Sequence, residues 1–371
     1  MFELTNGQRK YLGLTLVSSA WDLVKLIPSP HDKLDTFAYF EGNTICKRII
    51  IDKNSYEEYD LNEETTENRT KLLPKTDRGK TVKLTASALE KRTPKGMYFS
   101  YKGGYVHLGN WKTNRTFYNS YTEDIKLNSL VNLSSWIEQW ILDTSISDLK
   151  ELAEFSLSPK KHCKYRVGDF FRFKINRRLY GYGRILLDYD ELRKKNIKFW
   201  DILMGKPLVV KVYYIATTNK NISCEDLKNL KAIPSEFIMD NEFFYGEYEI
   251  IGNLPLTDKE LDFPVMYGNS IDIRDTNKVL LQSGIKYFEL TNRNHTLYSE
   301  FKNNGIGFGI NVKLPILNKC IELQSNEPYW EQNNTYKTNT DLRNPKFFAE
   351  REAICKQFGV SEEDIFYKNK S

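Results

Sequence analysis

The alternation of apolar and polar residues is clearest in the middle of the chain, where it predicts a β-hairpin. The first strand carries an apolar residue at every second position, namely Phe171, Phe173 and Ile175. Basic or polar residues stand between them, so one face of the strand is apolar. The return strand, Tyr180–Leu186, holds Gly181 and Gly183 between aromatic residues. A glycine inside a strand indicates a bulge, or a close approach by another backbone or a ligand.

Further strands are predicted on both sides of this hairpin. The segment Pro207–Ala216 is a nearly unbroken run of β-branched and aromatic residues, which is typical of a central strand buried on both faces. Gly103 and Gly104 form the predicted two-residue turn of a second hairpin. The remaining strand patterns cover Thr36–Phe40, Ile45–Ile51 and Glu247–Leu254.

Helical spacing appears in two parts of the chain. Two helices are predicted within residues 134–157, the first capped by Ser134 or Ser135 and the second by Ser147. A later helix begins after Asn344 and stops before a glycine. Its predicted buried face consists of Phe347, Ile354, Cys355 and Phe358.

These elements predict an α+β fold with an antiparallel-rich, curved sheet in a central domain, a flanking α/β N-terminal region and a helical C-terminus. Residues 1–158 form the predicted N-terminal α+β region, which contains a basic, tyrosine-rich meander. Residues 159–290 form the central α+β domain. Residues 291–371 form a strand–helix region that either stands alone or packs on the central domain.

Composition indicates a globular protein outside the secretory route. The 371 residues carry a formal net charge of +5, and 40% of them are hydrophobic. The first residues, 1–14, contain charges and no apolar run, so no signal peptide is expected. No apolar stretch reaches the length of a membrane span. The five cysteines are scattered, which favours small packing residues in a reducing cytoplasm: Cys46, Cys163, Cys224, Cys320 and Cys355.

The largest charge asymmetry lies in the N-terminal region. Residues 55–68 hold six acidic side chains and no basic one, whereas residues 69–115 hold twelve Lys or Arg against two acids. One interpretation is two solvated faces that pair with one another. The alternative is a basic surface, interleaved with aromatic residues, that binds nucleic acid or phosphate.

The residues that a hydrolase requires do not form a motif. The four histidines are His31, His107, His162 and His295. They are too far apart in sequence for a helical zinc motif, and no Gly-x-Ser-x-Gly elbow occurs. His162 and Cys163 are neighbours, but adjacent side chains of a strand point to opposite faces. The sequence therefore predicts no catalytic residue, no metal and no cofactor.

A resemblance to a known family rests on the hairpin and on a Pro-Ser-Glu segment further along. The residues that carry it are Gly168, Asp169, Phe171, Gly181, Gly183, Pro234 and Ser235. Over roughly residues 160–290 the chain resembles the immunity 26 family, whose name also mentions a phosphotriesterase. The opening spacing of Thr5, Arg9, Gly13 and Leu14 is similar to that of long versions of the family.

The resemblance implies a cytoplasmic, non-catalytic protein that binds and neutralises a cognate bacterial polymorphic toxin by occlusion. Its partner would be the toxin domain, a protein, with nucleic acid as an alternative partner and no membrane. The acidic segments 57–67 and 188–191 are candidate contacts for a basic toxin. A phosphotriesterase-like hydrolase is a further alternative. The predicted partner-binding residues are Tyr180, Tyr182, Arg184, Asp188, Tyr189 and Asp190.

Overall fold

Residues 2–28, 34–195, 205–269, 277–291, 309–332 and 341–367 are described by the computed structural model. Their helices and open antiparallel sheets confirm the predicted α+β class. Two compact units divide the chain. The first comprises residues 1–161 and 176–178, and the second comprises residues 162–175 and 179–371. The predicted regions 159–290 and 291–371 thus lie almost entirely in one unit.

The first unit is built on a seven-stranded antiparallel sheet with the order β1-β2-β3-β4-β7-β8-β9. The sheet strands are β1 Asp22–Lys25, β2 Asp35–Glu41, β3 Thr44–Asp52, β4 Ser55–Glu64, β7 Lys95–Lys102, β8 Tyr105–Asn110 and β9 Arg115–Asn119. A separate two-stranded ribbon pairs β5 (Lys71–Leu72) with β6 (Val82–Lys83). The predicted turn at Gly103 and Gly104 is confirmed, and both glycines have positive φ.

Helices cover both faces of this sheet. Helices α1 (Asn6–Tyr11), α3 (Leu130–Leu142) and α4 (Ile146–Leu157) pack on one face, and α2 (Ala86–Glu90) on the other. The first-face core includes Leu133, Ile137 and Trp140 from α3.

The predicted caps of α3 and α4 were wrong by several residues. Ser129 caps α3, so Ser134 and Ser135 lie inside that helix. Ser145, rather than Ser147, caps α4 and forms a capping box with Asp148. The Ser145 hydroxyl accepts from the Asp148 N–H at 3.2 Å, and the Asp148 carboxylate accepts from the Ser145 N–H at 2.8 Å, so this pair satisfies two backbone N–H groups at the start of α4.

The second unit is built on a five-stranded antiparallel sheet with the order β13-β12-β11-β10-β14. Its strands are β10 Asp169–Lys174, β11 Tyr180–Asp188, β12 Pro207–Val212, β13 Glu236–Met239 and β14 Glu249–Asn253. Every residue of β11 and β12 is buried, which confirms the prediction of a strand covered on both faces. A three-stranded antiparallel sheet follows, with β15 Val265–Asn269, β16 Lys278–Ser283 and β17 Lys286–Thr291.

In the described part of the second unit, six helices accompany these sheets: α5 Tyr189–Lys194, α6 Cys224–Lys228, α7 Asn241–Phe244, α8 Leu314–Leu323, α9 Glu327–Glu331 and α10 Phe348–Gln357. Shorter turns are the 3₁₀ segments Asp258–Glu260 and Pro345–Phe347 and the π segment Glu363–Tyr367. Asn344 caps the 3₁₀ turn that precedes α10. The predicted buried face of this C-terminal helix is confirmed in part. Ile354 and Cys355 are buried against β15 and β16, whereas Phe347 and Phe358 flank α10 and are half-buried against the same cluster.

Candidate functional site

The two strand glycines of β11 are covered by aromatic rings from β10. Gly181 pairs with Phe173, and Gly183 pairs with Phe171. A Cβ atom at either glycine would overlap the ring opposite, with ring carbons at 2.9 Å and closer. At Gly183 it would also lie 2.5 Å from the carbonyl oxygen of Lys211 on β12. The close approach predicted at these glycines is therefore made by the chain's own side chains and backbone.

Gly168 and Asp169 fix the entry into the hairpin. Gly168 has a φ of +88°, and a Cβ there would lie 2.6 Å from the carbonyl oxygen of Leu254. The buried carboxylate of Asp169 accepts hydrogen bonds from the backbone N–H of Arg166 and from the side-chain amide of Asn253, both at 2.8 Å. Both residues of this motif therefore serve the local fold of the hairpin.

Tyr180 and Tyr182 lie in the core of one sheet face. Both side chains are buried among Phe170 and Tyr213. The Tyr182 hydroxyl donates a hydrogen bond of 2.5 Å to the carbonyl oxygen of Asn219. Burial raises the pKa of Tyr182, so the phenol stays neutral and acts as a donor. These tyrosines hold the sheet face together.

Arg184 is fully buried and its guanidinium is surrounded by acceptors. It donates to the carbonyl oxygens of Leu254 at 2.5 Å and of Pro255 at 3.0 Å, and it forms an ion pair with Glu260. The guanidinium carbon lies 4.3 Å from the ring centroid of Phe170. This set of contacts offsets the cost of removing the charge from water.

Lys211 lies beside this buried ion pair. Its ammonium is 3.9 Å from the Glu260 carboxylate and 5.3 Å from the ring centroid of Tyr213. Burial, together with the nearby charge of Arg184, lowers the pKa of Lys211 to about 8. The Glu260 carboxylate thus lies close to two buried cations, Arg184 and Lys211. The Lys211 ammonium is partly deprotonated at mildly alkaline pH.

Asp188, Tyr189 and Asp190 form the start of α5. The Asp188 carboxylate accepts from the backbone N–H groups of Asp190 at 2.8 Å and Glu191 at 3.4 Å, which makes it the N-cap. Burial raises the pKa of Asp188. Tyr189 is fully buried. Asp190 is half-buried and forms an ion pair of 2.9 Å with Lys194, and their hydrogen bond lowers the pKa of Asp190.

Five of the six predicted partner-binding residues are therefore buried, and the sixth, Asp190, is half-buried. The buried residues are Tyr180, Tyr182, Arg184, Asp188 and Tyr189. In this position they support the surface of the second unit from beneath. Direct contact between this set and a partner stays a prediction.

The Pro-Ser-Glu segment forms a second buried polar cluster. Pro234 and Ser235 are buried. The Ser235 backbone N–H donates to the Asp262 carboxylate at 2.7 Å. The Arg343 guanidinium donates to the Ser235 carbonyl oxygen at 2.6 Å and forms ion pairs with Asp262 at 3.0 Å and Asp341 at 2.8 Å. This part of the motif thus joins β13 to the segment that precedes α10.

A group of aromatic and acidic side chains lies at α7, and we call it the α7 patch. It consists of the exposed residues His162 and Phe244 and the half-buried residues Asp240, Tyr245 and Glu247. Phe244 is 43% exposed, although its neighbour Phe243 is fully buried. The rings of His162 and Phe244 are 4.3 Å apart, and those of Phe244 and Tyr245 are 5.2 Å apart. Exposed, mutually supported aromatic rings with a polar rim are typical of protein-binding surfaces.

The sequence around helix α7 is acidic, whereas His162 of the α7 patch lies among Lys160, Lys161 and Lys164. Residues 232–257 contain five acidic side chains and no Lys or Arg. Asp240 accepts a hydrogen bond of 3.1 Å from the hydroxyl of Tyr165. Burial raises the pKa of the neighbouring Glu242 to about 7. The sequence analysis missed this patch, although the acidic composition beside Phe-Phe-Tyr was a signal that could have identified it.

The basic segment 69–115 is partly neutralised within the first unit. Arg69 pairs with Asp22 at 2.9 Å. Lys75 and Arg92 both pair with Glu63, at 3.0 and 3.1 Å. Two aromatic residues of the segment, Phe99 and Tyr101, and two that follow it directly, Phe117 and Tyr118, are buried core residues of the meander. These contacts favour the interpretation of an acidic and a basic segment that pair with one another.

Residues with catalytic or metal-binding potential are dispersed in the part of the chain that the structure describes. Within it, no group of three or more His, Cys, Asp or Glu residues is placed to hold a metal ion. Burial lowers the pKa of His107, and His162 contacts the Phe244 carbonyl oxygen at 3.2 Å. His31 and His295 lie outside the described residues. Among the described helices, none has the length and apolar character needed to cross a membrane.

Part of the chain is similar to a known protein family. The family described as Immunity protein 26 matches residues 166–277, and the resemblance seen in the sequence is confirmed over this span. All the motif residues and all the predicted partner-binding residues lie within it. This span is therefore similar to an immunity protein, and the match gives no support to the phosphotriesterase part of the name. No curated protein and no solved structure matches the chain.

Proposed function

We propose that this chain is a cytoplasmic immunity protein that binds a cognate toxin of a bacterial polymorphic-toxin system and neutralises it by occlusion. The observation that carries the proposal is the match of residues 166–277 to Immunity protein 26. That span contains the five strands of the larger sheet of the second unit and every residue of the α7 patch except His162. Inhibition by occlusion requires a rigid scaffold and a complementary surface, and it needs no reacting side chain.

The scaffold is supplied by buried polar clusters. Arg184 with Glu260, and Arg343 with Asp341, are ion pairs with side chains that are less than one tenth exposed. Breaking such a pair leaves an uncompensated buried charge, which is strongly unfavourable. The sheet therefore resists rearrangement when a partner binds, and little conformational entropy is lost on association.

The α7 patch is the surface that we propose for the toxin. Phe244 supplies an exposed aromatic anchor, and Asp240 and Glu247 place negative charge around it. Many toxins of these systems are nucleases with basic active surfaces, for which an acidic inhibitor surface is complementary. Complementary charge would accelerate association and exclude wrong partners. A locally acidic patch thus accommodates such a toxin in a chain whose net charge is positive.

The six partner-binding residues predicted from the sequence have two roles in this proposal. Asp190 is the member that would contact the toxin directly, because part of its side chain reaches the surface. The five buried members would act as positioning residues beneath it. Substitution of Asp190 by Lys with no change in toxin affinity would remove it from the interface.

The experiment is affinity capture of the tagged full chain from a lysate of its own bacterium, with and without nuclease, read by mass spectrometry. The expected result is one stoichiometric, nuclease-resistant protein. Its toxic domain is then expressed in a second bacterial host, with and without this chain. Growth restored by co-expression supports the proposal, whereas growth arrest despite equal expression refutes it.

Two matched variants locate the surface in the same assay. Phe244→Ala should weaken toxin binding by at least about thirtyfold, as expected for an interface anchor worth about 2 kcal/mol. Leu230→Ala removes a similarly exposed apolar side chain and should leave binding unchanged. Equal binding by both variants would exclude the α7 patch. Recovery of nucleic acid alone would favour the basic segment 69–115 instead.

A further inference from the structure

Helix α4 of the first unit carries an apolar stripe on the face opposite its core contacts. Leu152 and Phe155 face the core, and Asp148 is buried on the same side. The opposite side presents residues at spacings of four, three and four, which form one line along a helix. These residues are Ile146, Lys150, Ala153 and Leu157, and all are exposed.

The two ends of the stripe are unusually exposed for large apolar side chains. Ile146 is 88% exposed and Leu157 is 82% exposed. Leu142, at the end of α3 and four residues before Ile146, is 78% exposed. Large apolar side chains that stay this exposed at both ends of one helix face leave apolar surface available to a partner.

The order of residues along the stripe is self-complementary. Bulky apolar residues lie at the two ends, and Ala153 lies near the middle with Lys150 before it and Glu154 after it. An antiparallel copy of α4 places Ile146 against Leu157 of the other copy. It also places Lys150 against the small Ala153 and next to Glu154 of that copy. The lysine stem can cover the alanine while its ammonium reaches the carboxylate.

We propose that α4 is a homodimerisation helix, and that its occupant is α4 of a second copy of this chain in antiparallel, two-fold arrangement. A two-fold axis makes every contact occur twice, so the Lys150–Glu154 pair and the Ile146–Leu157 contact each form on both sides. An interface of one helix pair is small, and the dimer is therefore weak and concentration-dependent. This inference is independent of toxin binding.

Sedimentation velocity of the full chain over about a hundredfold range of concentration tests the proposal. The expected mass rises from that of the 43.6 kDa monomer towards twice that value. Ile146→Glu and Leu157→Glu should each raise the dissociation constant at least about tenfold, because symmetry removes each side chain twice. Leu16→Glu, at a site 49% exposed in the same unit, is the control and should change nothing.

Charge exchange tests the antiparallel register. Lys150→Glu should weaken the dimer several-fold, because it faces Glu154 of the other copy, and Glu154→Lys should weaken it similarly. The double variant K150E/E154K restores opposite charges and should restore association. A wild-type chain that stays monomeric throughout would overturn the proposal. A dimer that is indifferent to Ile146→Glu, or a double variant that fails to recover, would also overturn it.

Discussion

Arg343 donates a hydrogen bond of 2.6 Å to the carbonyl oxygen of Ser235 across 108 positions of sequence. Ser235 belongs to the Pro-Ser-Glu segment, whereas Arg343 lies beyond the end of the matched span. The same guanidinium forms ion pairs with Asp262 and Asp341. The C-terminal region thus completes the polar contacts of the family motif within the second unit.

Arg343→Met should lower the free energy of unfolding by about 3–5 kcal/mol, because it leaves the buried Asp341 carboxylate without its cation. Scanning calorimetry of the full chain measures the effect as a lower Tm. Arg166→Met removes an arginine whose side chain is 72% exposed and should change the free energy by less than about 1 kcal/mol. Equal effects of the two substitutions would contradict the structural role of Arg343.

Gly181→Ala should lower the free energy of unfolding by about 1–3 kcal/mol, because its methyl group would overlap the ring of Phe173. Phe173→Leu in the same chain should recover part of that loss. Gly183→Ala should not be recovered by Phe171→Leu, because the carbonyl oxygen of Lys211 also stands in the way. Chemical denaturation of the two double variants distinguishes ring overlap from backbone overlap, and equal recovery would contradict this difference.

Glu242 should make stability fall as pH rises. Burial raises the pKa of Glu242 to about 7 from an ordinary value of 4.5, so the folded chain holds this proton where the unfolded chain releases it. Between these values the free energy of unfolding should decrease with pH, and Glu242→Gln should remove that slope. At pH 8 the variant should be more stable by about 2–3 kcal/mol. If the free energy of unfolding depended on pH in the same way in wild type and in Glu242→Gln, the raised pKa of Glu242 would be contradicted.

Glu58 should have the opposite pH dependence. Burial opposes its charge, but Lys47 at 2.9 Å and Arg9 at 2.8 Å outweigh that effect and lower the pKa of Glu58. The contribution of the charged Glu58 carboxylate to stability is fully present above the ordinary pKa of 4.5. It is lost as the pH falls through the lower pKa that Glu58 has in the folded chain. Glu58→Gln should cost about 3–5 kcal/mol at pH 7, because two buried cations lose a partner.

Thermal unfolding of wild type and Glu58→Gln between neutral and acidic pH checks this expectation. The difference in free energy of unfolding between the two proteins should decrease as the pH is lowered. A difference that stays constant down to acidic pH would contradict the lowered pKa of Glu58. Glu67→Gln, an exposed acid after the same strand, serves as the control.

The sequence predicted several strands of regular pattern and missed others, among them β4. Ser55–Glu64 is acidic enough to read as a solvated segment, yet Glu58 is buried in it. Its carboxylate is paired by Arg9, which lies 49 residues away in sequence. A pairing at that distance cannot be inferred from local composition, because the partner that makes burial possible is not local.

The site was less predictable than the fold. Aromatic and charged residues of the hairpin suggested a surface, whereas Tyr182 and Arg184 are buried. Alternation of apolar and polar residues identifies a solvent-exposed face only when one side of the sheet is open to water. Here both faces of β11 are covered, and the acceptors that satisfy Arg184 lie about 70 residues further along the chain.

The interlock of Phe173 with Gly181 and of Phe171 with Gly183 has a consequence for how relatives diverge. Each ring occupies the space that its glycine leaves empty, so a substitution at one position of a pair constrains the residue at the other. Packing alone therefore restricts both positions, whatever the protein binds. Relatives that bind different partners would keep these pairs and differ at residues elsewhere on the molecule.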